Sequence, residues 1–255
     1  DWIPLLVQAV EMGYDLASGL HQSLKAVPEI KAAAEKHGRQ LIDVRIPDRE
    51  FEVGSGLKRS GKRLLTVGTD CSIGKMYTSL ALEKELRARG RKADFRATGQ
   101  TGILIAGSGV SVDAVVADFI SGATEWLAPA NDPDHWDLIE GQGSLYHASY
   151  AGVSLGLLHG AQADALVMCH EPTRTHMRGL PHYPLPPLKD CIALNEQLAR
   201  LTNPAAKCVA ISVNTSALDK AAADAFLKQT EDKTGLPAAD PLRTGVGKIV
   251  DVLGA

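Results

Sequence analysis

Apolar and polar residues follow two different periodicities along this chain, and the two alternate from about residue 63 onward. Short, continuous apolar runs predict strands that are buried on both faces, as is typical of a parallel sheet. The intervals between these runs have the spacing of amphipathic helices. The predicted strands are Arg63–Val67, Ala93–Ala97, Trp136–Ile139, Ala165–Cys169 and Cys208–Val213.

The order strand, helix, strand repeats through most of the chain and predicts an α/β fold. Because parallel strands need crossover connections, helices cover both faces of such a sheet. We therefore expect a mostly parallel sheet flanked by helices. The predicted helices of this part are Lys75–Arg89, Val112–Leu127, Ala151–Gly160, Leu188–Leu201, Ala217–Lys228 and Thr244–Leu253.

The N-terminal part of the chain has its own pattern. Its apolar positions predict two helices, Pro4–Leu20 and Pro28–His37, and then a strand at Leu41–Ile46. Residues 47–62 are polar and contain several glycines, which is typical of a connector between folded parts.

We expect two domains on this basis. Residues 1–62 form an N-terminal segment with its connector, and residues 63–255 form the α/β domain. The chain opens directly in a helical pattern without an initiator methionine. We therefore expect that a further segment precedes it in the full-length protein.

Composition narrows the class of protein. The formal net charge of −3 indicates no basic surface for nucleic acid or for an anionic membrane. No apolar run approaches the roughly 20 residues that span a bilayer.

The four cysteines are irregularly spaced and form no CxxC pair, so neither a disulfide framework nor a zinc site is expected. We expect a cytoplasmic protein, and the uncovered apolar positions of the first helices favour a homo-oligomer.

One stretch, "VGTDCSIGKM" at Val67–Met76, predicts a phosphate-binding loop. It follows a strand and precedes a helix, which is where ligands bind in parallel sheets. Its glycines allow a close approach to an anion, and backbone N–H groups and a lysine can hold that anion. The residues that we expect to bind a phosphate-bearing cofactor are Gly68, Thr69, Asp70, Cys71, Ser72, Ile73, Gly74, Lys75 and Met76.

This loop departs from the common P-loop at two points. The spacer between the glycines has five residues rather than four, and Met76 stands where a serine or threonine usually binds Mg²⁺. A thioether cannot replace that hydroxyl. The loop is therefore expected to bind a phosphate without a metal, which favours a pyrophosphate or 3′-phosphate of a larger cofactor as much as ATP.

Polar residues also cluster after the other predicted strands. Glu140 ends one strand and is a candidate metal ligand, ammonium binder or general base. His147, in the following loop, is a second candidate proton carrier. Arg174 and Arg178 can bind the carboxylates of a substrate or a phosphate, because guanidinium groups form paired hydrogen bonds with both.

The stretch "FRATGQTGILIAGSGVSVDAVVADF" at Phe95–Phe119 is dense in polar and glycine residues. We expect it to be a long loop followed by a helix. Arg96, Thr98 and Gln100 can present a cation, a hydroxyl and an amide to a small polar ligand. They are therefore candidate substrate contacts.

Three strand ends together resemble dethiobiotin synthetase, an ATP-dependent P-loop enzyme. The letters "GTDxxxGK" match its loop, and "LIEGQGSL" at Leu138–Leu145 resembles its "EGAGG" sequence. Asn214 ends the last strand, where relatives place an asparagine that recognises a base. This resemblance implies the dethiobiotin synthetase branch of the P-loop NTPase-like fold, with Asn214 as a further cofactor-binding residue.

A wider set of motifs resembles the bacterial D-glutamate N-acetyltransferase family. The set comprises "GLHQSL", "DVRIP", "LTVGTDCSIGKM", "ATGQTGILIAGSGVSVDAVVADF", "EGQGSLYH" and "TGLPAADPLRTG". The resemblance implies transfer of an acetyl group from acetyl-CoA to the amine of D-glutamate, with no metal required. It also implies that a small Rossmann-like domain precedes the P-loop domain, so residues 1–62 are a remnant of that domain or a link to it.

The resemblance also suggests roles for the candidate residues. Glu140 is the first candidate for the base and His147 the second, while Gln100 or backbone N–H groups stabilise the oxyanion. Arg96, Thr98, Arg174 and Arg178 are expected to bind the substrate.

Three alternatives remain open at the level of sequence. Cys71 could accept the acetyl group in a two-step route, because a helix N-terminus lowers the pKa of a thiol. The chain could be a Mg-ATP-dependent ligase or kinase similar to dethiobiotin synthetase. It could also be a non-catalytic nucleotide-binding module. Preference for the D over the L substrate cannot be read from residue types.

Overall fold

The computed structural model of the protein describes residues 2–254. Its first part is a small unit made of two parallel strands and two helices. Leu16 pairs with Leu41, and Ser18 pairs with Asp43. The elements of this unit are α1 Ile3–Glu11, β1 Leu16–Ser18, α2 Pro28–His37 and β2 Leu41–Asp43, with a 3-10 turn at Leu24–Ala26.

Helix α1 is shorter than the sequence pattern predicts. It ends at Glu11, and the chain turns at Gly13, whose φ of 95° lies in the left-handed region. Because residues with a Cβ rarely adopt that conformation, the glycine ends the helix and allows β1 to begin soon afterwards. The predicted helix Pro4–Leu20 is therefore wrong in its second half, whereas Pro28–His37 is confirmed.

The rest of the chain forms a larger α/β unit. It contains a main sheet and a separate antiparallel pair of short strands, β7 with β8. The strands of this unit are β3 Lys62–Gly68, β4 Ala93–Arg96, β5 Trp136–Ile139, β6 Ala165–His170, β7 His176–Met177, β8 Leu180–Pro184, β9 Lys207–Val213 and β10 Ala238–Ala239.

All pairings in the main sheet are parallel, in the order β10-β9-β6-β3-β5-β4. Six of the seven residues of β3 are buried, as the continuous apolar pattern predicts for a strand covered on both faces. The five strands predicted for residues 63–255 are all confirmed to within a residue at each end, whereas the strand predicted over Leu41–Ile46 already ends at Asp43. The predicted α/β class with a mostly parallel sheet is confirmed as well.

Helices cover both faces of this sheet. On one face, α6, α7 and α8 cover the strands, and their apolar side chains include Leu157 of α6 and Leu227 of α8. On the other face, α3 contributes Leu82 and α9 contributes Ile249. No helix within residues 2–254 is long and apolar enough to cross a membrane. The helices are α3 Lys75–Ala88, α4 Gln100–Ala106, α5 Ile120–Leu127, α6 Ala151–Ala161, α7 Leu188–Ala199, α8 Lys220–Thr234 and α9 Gly247–Val252.

The segment between β4 and α5 differs from its prediction. The long helix predicted over Val112–Leu127 is two short 3-10 turns followed by α5. The break falls at Val115 and Val116, whose backbones are extended with ψ of 138° and 136°. The loop predicted before it contains α4, because its glycines permit close packing without preventing a short helix.

The connector lies against the larger unit. Both Ser55 and Gly56 donate their backbone N–H groups to the carboxylate of Glu125 at 2.9 Å, and Arg59 donates to the backbone oxygen of Gly160 at 2.7 Å. These contacts attach it to the layer formed by α5 and α6. A domain boundary at residue 62 stays a prediction.

Strand order determines where a ligand can bind. From β3 the chain builds β4 and β5 on one side of the sheet and then β6, β9 and β10 on the other. The direction in which the chain adds strands to the sheet therefore reverses at β3, and a crevice forms at the carboxyl ends of the strands there. The phosphate loop lies at this crevice.

Candidate active site

The loop between β3 and α3 is shaped to hold an anion. Ser72 has a φ of 54° and Gly74 a φ of 107°, so the loop curls back on itself in two left-handed steps. In the described part of the chain, the backbone N–H groups of residues 72–76 donate to no protein acceptor. Consecutive unpaired N–H groups at the start of a helix attract phosphate.

Lys75 adds a positive charge to this loop. Its side chain is nearly fully buried, and Nζ donates to the backbone oxygen of Asp70 at 2.7 Å. Burial lowers the pKa of the Lys75 ammonium, because a charge is costly away from water. An ammonium has three N–H donors, so two remain for an anion.

Asp70 acts as an anchor for the loop and does not face a ligand. One carboxylate oxygen, Oδ1, accepts the backbone N–H of Cys71 at 2.7 Å. The other, Oδ2, accepts from the Arg174 side chain and from the backbone N–H of Arg178, both at 2.8 Å. Burial opposes ionisation of Asp70, but these hydrogen bonds outweigh it and hold the pKa of the carboxyl below its ordinary value.

Gly68 and Thr69 lie behind the loop and do not line the crevice. The backbone N–H of Thr69 donates to the Cys169 oxygen at 3.1 Å, and its hydroxyl lies 3.1 Å from Nδ1 of His170. A Cβ at Gly68 would come within 2.7 Å of the Ile73 side chain. The prediction that Gly68 and Thr69 contact a cofactor therefore has no geometric support.

Met76 uses its side chain for packing. It joins a small apolar cluster with Ile103 of α4, Leu80 of α3 and Val44 of the N-terminal unit. The position that binds Mg²⁺ through a hydroxyl in common P-loops is therefore apolar. The loop can therefore bind a phosphate, whereas the side chain at this position cannot bind Mg²⁺.

Cys71 has the wrong electrostatic environment for a nucleophile. Burial raises the pKa of its thiol, and the neighbouring Asp70 carboxylate raises it further. These effects outweigh the positive charges of Lys75 and Arg178, which lower the pKa of the thiol. The structure therefore disfavours Cys71 as the acyl acceptor.

Glu140 ends β5 beside the phosphate loop and is the candidate acid or base of the crevice. Its Oε2 accepts the backbone N–H groups of Thr98 at 3.0 Å and Gly99 at 3.2 Å. Burial raises the pKa of its carboxyl to about 6, although these hydrogen bonds and the charge of Lys75 act in the opposite direction. A carboxyl with this pKa is half ionised near pH 6 and mostly ionised at neutral pH, which suits a base that takes up a proton.

Glycines make room for this carboxylate. A Cβ at Gly102 would lie 2.4 Å from Glu140 Oε2, and a Cβ at Gly99 would lie 3.3 Å from Oε1. The residue after the glutamate, Gly141, is even more constrained, because its Cβ would lie 1.6 Å from the backbone oxygen of Thr66. The "EGQG" and "ATGQTG" motifs therefore pack against each other.

Thr98 and Gln142 complete the surroundings of the glutamate. The Thr98 hydroxyl donates to the backbone oxygen of Glu140 at 2.6 Å, and Gln142 Nε2 donates to the same hydroxyl at 3.1 Å. Thr98 is fully buried, so its side chain supports the site and is not open to a substrate.

These elements enclose a crevice of about 400 Å³. Its walls are the phosphate loop from Cys71 to Tyr77, the start of α4 at Gln100, and residues 140–143 after β5. A second hollow of about 200 Å³ adjoins it and is lined by Ile73, Pro241 and Leu242 among others. Asn214 and Tyr77 border both, so the two hollows form one continuous surface.

A larger hollow of about 610 Å³ lies at the opposite edge of the sheet. Its charged lining includes surface lysines, of which Lys58 pairs with Asp164 at 3.0 Å. It contains no phosphate loop, and it is not the hollow that Glu140 borders. We therefore place the candidate active site at the carboxyl edge.

His147 is buried and has both ring nitrogens in hydrogen bonds. Nε2 lies 3.0 Å from the backbone oxygen of Arg178, and Nδ1 accepts the backbone N–H of Ser149 at 3.1 Å. The ring is therefore a neutral tautomer with the proton on Nε2. With no nitrogen lone pair left for a substrate, His147 acts as a link between loops.

The candidate arginines are not brought together. Arg96 pairs with Asp137 at 2.7 Å and borders a different hollow, and Arg174 is occupied by Asp70 and Glu171. The exposed side chain of Arg178 lies close enough to Cys71 to lower its thiol pKa. Arg174 lies closer to the crevice, since it donates to the backbone oxygen of Cys71 at 2.7 Å, but within residues 2–254 Arg178 is the one of the three arginines without a carboxylate partner.

Two groups of side chains within residues 2–254 are close enough to hold a metal ion, Asp70 with Cys71 and His147, and Asp94 with His135 and Asp137. In both groups an arginine already neutralises an aspartate, because Arg174 pairs with Asp70 and Arg96 pairs with Asp137. Neither group offers the open, oxygen-rich environment that Mg²⁺ prefers.

Two domain families match nearly the whole chain. The DUF1611_C P-loop domain, a domain of unknown function, matches residues 52–250. The DUF1611_N Rossmann-like domain, also of unknown function, matches residues 1–47. The chain belongs to the DUF1611 family. The P-loop fold expected from the sequence is confirmed.

Relatives of this DUF1611 member include two named proteins. A protein of Tritonibacter scottomollicae named D-glutamate N-acetyltransferase is 57% identical over 255 residues, covering 100% of this chain and 77% of the relative. A protein of the same name from a Pseudoalteromonas species is 53% identical over 249 residues, covering 98% of this chain and 75% of the relative. The family resemblance indicated by the motifs is confirmed.

A solved structure shows the same architecture. The crystal structure of a DUF1611 family protein from Anabaena variabilis has a TM-score of 0.91 and is 38% identical. The similarity covers 98% of this chain and 74% of that protein. The fold described above is therefore shared within the family.

Two features of this DUF1611 site were not predicted from the sequence. Asp70 was expected to bind a cofactor, but its carboxylate holds the loop after β6. Gln142 was not among the predicted site residues, yet its amide donates to the Thr98 hydroxyl beside Glu140. Both functions depend on contacts between segments far apart in the chain, for which a single sequence contains no signal.

Proposed function

We propose that this chain transfers an acetyl group from acetyl-CoA to the amine of D-glutamate. The names of the two relatives at 57% and 53% identity support the reaction. One structural observation carries the proposal: a phosphate loop with an apolar metal position lies beside a buried carboxyl with a pKa of about 6. Such a site suits a phosphate-bearing donor and a step that needs a base.

The proposed position of acetyl-CoA follows from the two adjoining hollows. The unpaired N–H groups of residues 72–76 and the Lys75 ammonium would bind its pyrophosphate. The smaller apolar hollow next to Asn214 would hold the adenine. Asn214 Oδ1 accepts a backbone N–H from Ser216 at 3.1 Å, so its amide nitrogen is the end left for a base. No phosphoryl group moves in this reaction, and a Mg²⁺ ligand at Met76 is therefore dispensable.

The proposed chemistry is direct attack on the thioester. Glu140 takes a proton from the ammonium group of D-glutamate, and the freed amine nitrogen forms a bond with the acetyl carbonyl carbon. The carbon–sulfur bond then breaks with its electron pair on sulfur, the sulfur accepts the second proton of the nitrogen, and the products are the amide and the CoA thiol. Gln100 or backbone N–H groups of the crevice would stabilise the oxyanion before that bond breaks.

The negative carboxylates of D-glutamate need a cation at the mouth of the crevice. Arg178 is the best suited of the candidate arginines, because it is exposed and its positive charge acts on Cys71 at the crevice. Arg174 and Arg96 are committed to the aspartates Asp70 and Asp137. We therefore assign carboxylate binding to Arg178 and a structural role to the other two.

Assembly and location are part of the same proposal. Leu5 of α1 and Met12, which directly follows that helix, are 67% and 66% exposed, which supports burial of this apolar surface in a homo-oligomer or against another domain. A cytoplasmic location is consistent with four free cysteines.

Calorimetric titration with acetyl-CoA and with Mg-ATP tests the donor, and a thiol-release assay with D-glutamate tests the reaction. We expect acetyl-CoA to bind and CoA to appear only when D-glutamate is present. Lys75→Met is expected to weaken acetyl-CoA binding by about tenfold or more, since it removes a charged hydrogen-bond donor. Lys84→Met, on the exposed side of the same helix, is the matched control. Binding of Mg-ATP with no response to acetyl-CoA would instead indicate a ligase or kinase.

A further inference from the structure

The orientation of the Gln142 side-chain amide is fixed by its neighbours. The Thr98 hydroxyl uses its one hydrogen on the backbone oxygen of Glu140, at 2.6 Å. The hydroxyl can therefore only accept from Gln142, and the group that Gln142 turns to it, at 3.1 Å, must be its NH₂. The hydrogen bond from Gln142 to the Glu140 side chain requires the same orientation, because an ionised carboxylate only accepts.

This orientation leaves the carbonyl end of the amide available. Throughout residues 2–254, Gln142 Oε1 has no hydrogen-bond donor, and it is not among the buried polar atoms that lack a partner. Gln142 lines the crevice together with Glu140 and Lys75. An acceptor oxygen therefore faces the crevice next to the carboxylate that is assigned to proton transfer.

We infer that Gln142 Oε1 binds the ammonium group of the amino-acid substrate and holds it next to Glu140. This inference rests on the proposed function, since it concerns the acceptor of that reaction. An ammonium group only donates hydrogen bonds, so its binding site must supply acceptors. Glu140 supplies a charged acceptor and Gln142 supplies a neutral one. A neutral carbonyl orients the nitrogen without competing for its proton, which leaves the proton to Glu140.

The fixed orientation of the Gln142 amide makes this contact selective for a hydrogen-bond donor such as an ammonium. If Gln142 could turn by 180°, its NH₂ group would face the substrate and repel an ammonium. Thr98 prevents that rotation, because its hydroxyl has no second hydrogen to offer to a carbonyl. Thr98 is thus a positioning residue for Gln142, and Gln142 is the residue that contacts the substrate.

The variant Gln142→Met tests the inference, because it keeps the length of the side chain and removes the carbonyl. Two ligands are compared, D-glutamate and glutarate, which has both carboxylates but no amine. In the wild type we expect the inhibition constant of glutarate to be about ten times the dissociation constant of D-glutamate. The ratio of these two constants reports the hydrogen bond to the charged ammonium, which only D-glutamate can form. In the variant that ratio should fall by about threefold or more, with Glu140 left as the remaining acceptor, while the KM for acetyl-CoA stays the same.

Gln197→Met, the same change at an exposed position of α7, is the control and should leave the ratio unchanged. If Gln142→Met does not fold, Thr98→Val provides the second test, since it frees the amide to rotate and should lower the same ratio. An unchanged ratio in a folded variant overturns the inference. A wild type that releases no CoA with D-glutamate contradicts the proposed function itself, which is a separate outcome.

Discussion

Arg174 donates to Oδ2 of the buried Asp70 carboxylate at 2.8 Å and also to the backbone oxygen of Cys71 at 2.7 Å. One side chain from the segment after β6 therefore fixes two consecutive residues of the phosphate loop. The same carboxylate oxygen accepts the backbone N–H of Arg178. These contacts hold the loop in its shape.

Removal of Arg174 should therefore destabilise the protein. Arg174→Ala removes the charged partner of the buried Asp70 carboxylate. We therefore expect the free energy of unfolding to fall by about 3 kcal/mol at neutral pH. The measurement is urea unfolding of the purified variant. Arg178→Ala is the control, because Arg178 contacts Asp70 only through a backbone N–H that alanine keeps. Equal loss in both variants would contradict the anchoring role of Arg174.

The pH dependence of stability follows from the same contact. The pKa of Asp70 is lower in the folded protein than its ordinary value. Its contribution is therefore complete above the unfolded pKa of about 3.9 and is lost as the pH falls through the lower folded value. In Arg174→Ala the folded pKa rises, so acid unfolding should begin at a higher pH than in the wild type. Acid titrations of the two proteins, followed by circular dichroism, test this.

Glu140→Gln should remove most of the activity. The variant keeps a side chain of the same size that can still accept from Thr98, but it cannot take a proton, so kcat should fall by about 10² or more. For the wild type, kcat/KM should rise with pH through about 6, where Glu140 ionises. The residual activity of the variant should not show that rise. A wild-type rise at another pH, or one that persists in the variant, assigns the base to another group.

Glu140 also affects stability, with the opposite sign from Asp70. Its folded pKa of about 6 lies above the unfolded value, so its contribution is present below the unfolded pKa and is lost as the pH rises through 6. Relative to Glu140→Gln, the wild type should lose about 2 kcal/mol of unfolding free energy between pH 4 and pH 7. Urea unfolding of both proteins at the two pH values measures this difference, and a constant difference contradicts the raised pKa.

Gly141→Ala should be strongly destabilising. The added Cβ would lie 1.6 Å from the backbone oxygen of Thr66, which belongs to the central strand β3 and cannot move aside. We expect a loss of about 3 kcal/mol or more in the free energy of unfolding. Gly152→Ala in α6 is the matched control, since its Cβ would meet nothing within 4 Å, and alanine should be neutral or slightly stabilising there. Thermal unfolding of the two variants distinguishes these outcomes.

The parts of the fold that could be predicted from the sequence are those controlled by local patterns. Continuous apolar runs located all five strands predicted for residues 63–255, and the glycine spacing of residues 68–75 located the phosphate loop. The helix predicted over Val112–Leu127 failed because its apolar pattern does not report the extended backbone at Val115 and Val116. The pattern was right about burial and wrong about conformation.

The residues that border the site could be predicted from the sequence, but the hydrogen bonds between distant residues could not. Glu140, Lys75 and Gln100 all border the crevice, because the carboxyl ends of parallel strands meet at one edge. The roles of Asp70, His147 and Arg174 depend on hydrogen bonds between residues about 30 to 100 positions apart. A single sequence does not show such pairs, so an acid, a histidine and an arginine all resembled ligand contacts when they are links between loops.

Cys71→Ser should remain active. The pKa of the Cys71 thiol is raised, mainly by burial, so the thiol stays protonated and is a poor nucleophile at neutral pH. We expect kcat to change by less than about threefold, which is under 1 kcal/mol in activation free energy. Initial rates measured against both substrates should give intersecting lines, as direct attack requires. Parallel lines in the wild type, together with loss of activity in the variant, would restore the two-step route.

Met76→Thr separates the packing role of this position from a metal role. The variant restores the hydroxyl that binds Mg²⁺ in common P-loops but removes a side chain that packs against Ile103, Leu80 and Val44. We expect unfolding free energy to fall by about 1–2 kcal/mol, because the lost thioether chain is only partly buried. The KM for acetyl-CoA should change by less than about threefold, since backbone N–H groups and Lys75 hold the phosphates.

Leu201→Thr, a similar substitution at a residue that is 70% exposed, is the control for Met76→Thr and should change neither quantity. Rates measured with EDTA and with added Mg²⁺ complete the experiment. Activity of the wild type that is unaffected by EDTA supports binding of the donor through the loop alone. A wild type that requires Mg²⁺, or a variant in which acetyl-CoA binding is lost while stability is kept, would mean that Met76 contributes to donor binding in a way that packing does not explain.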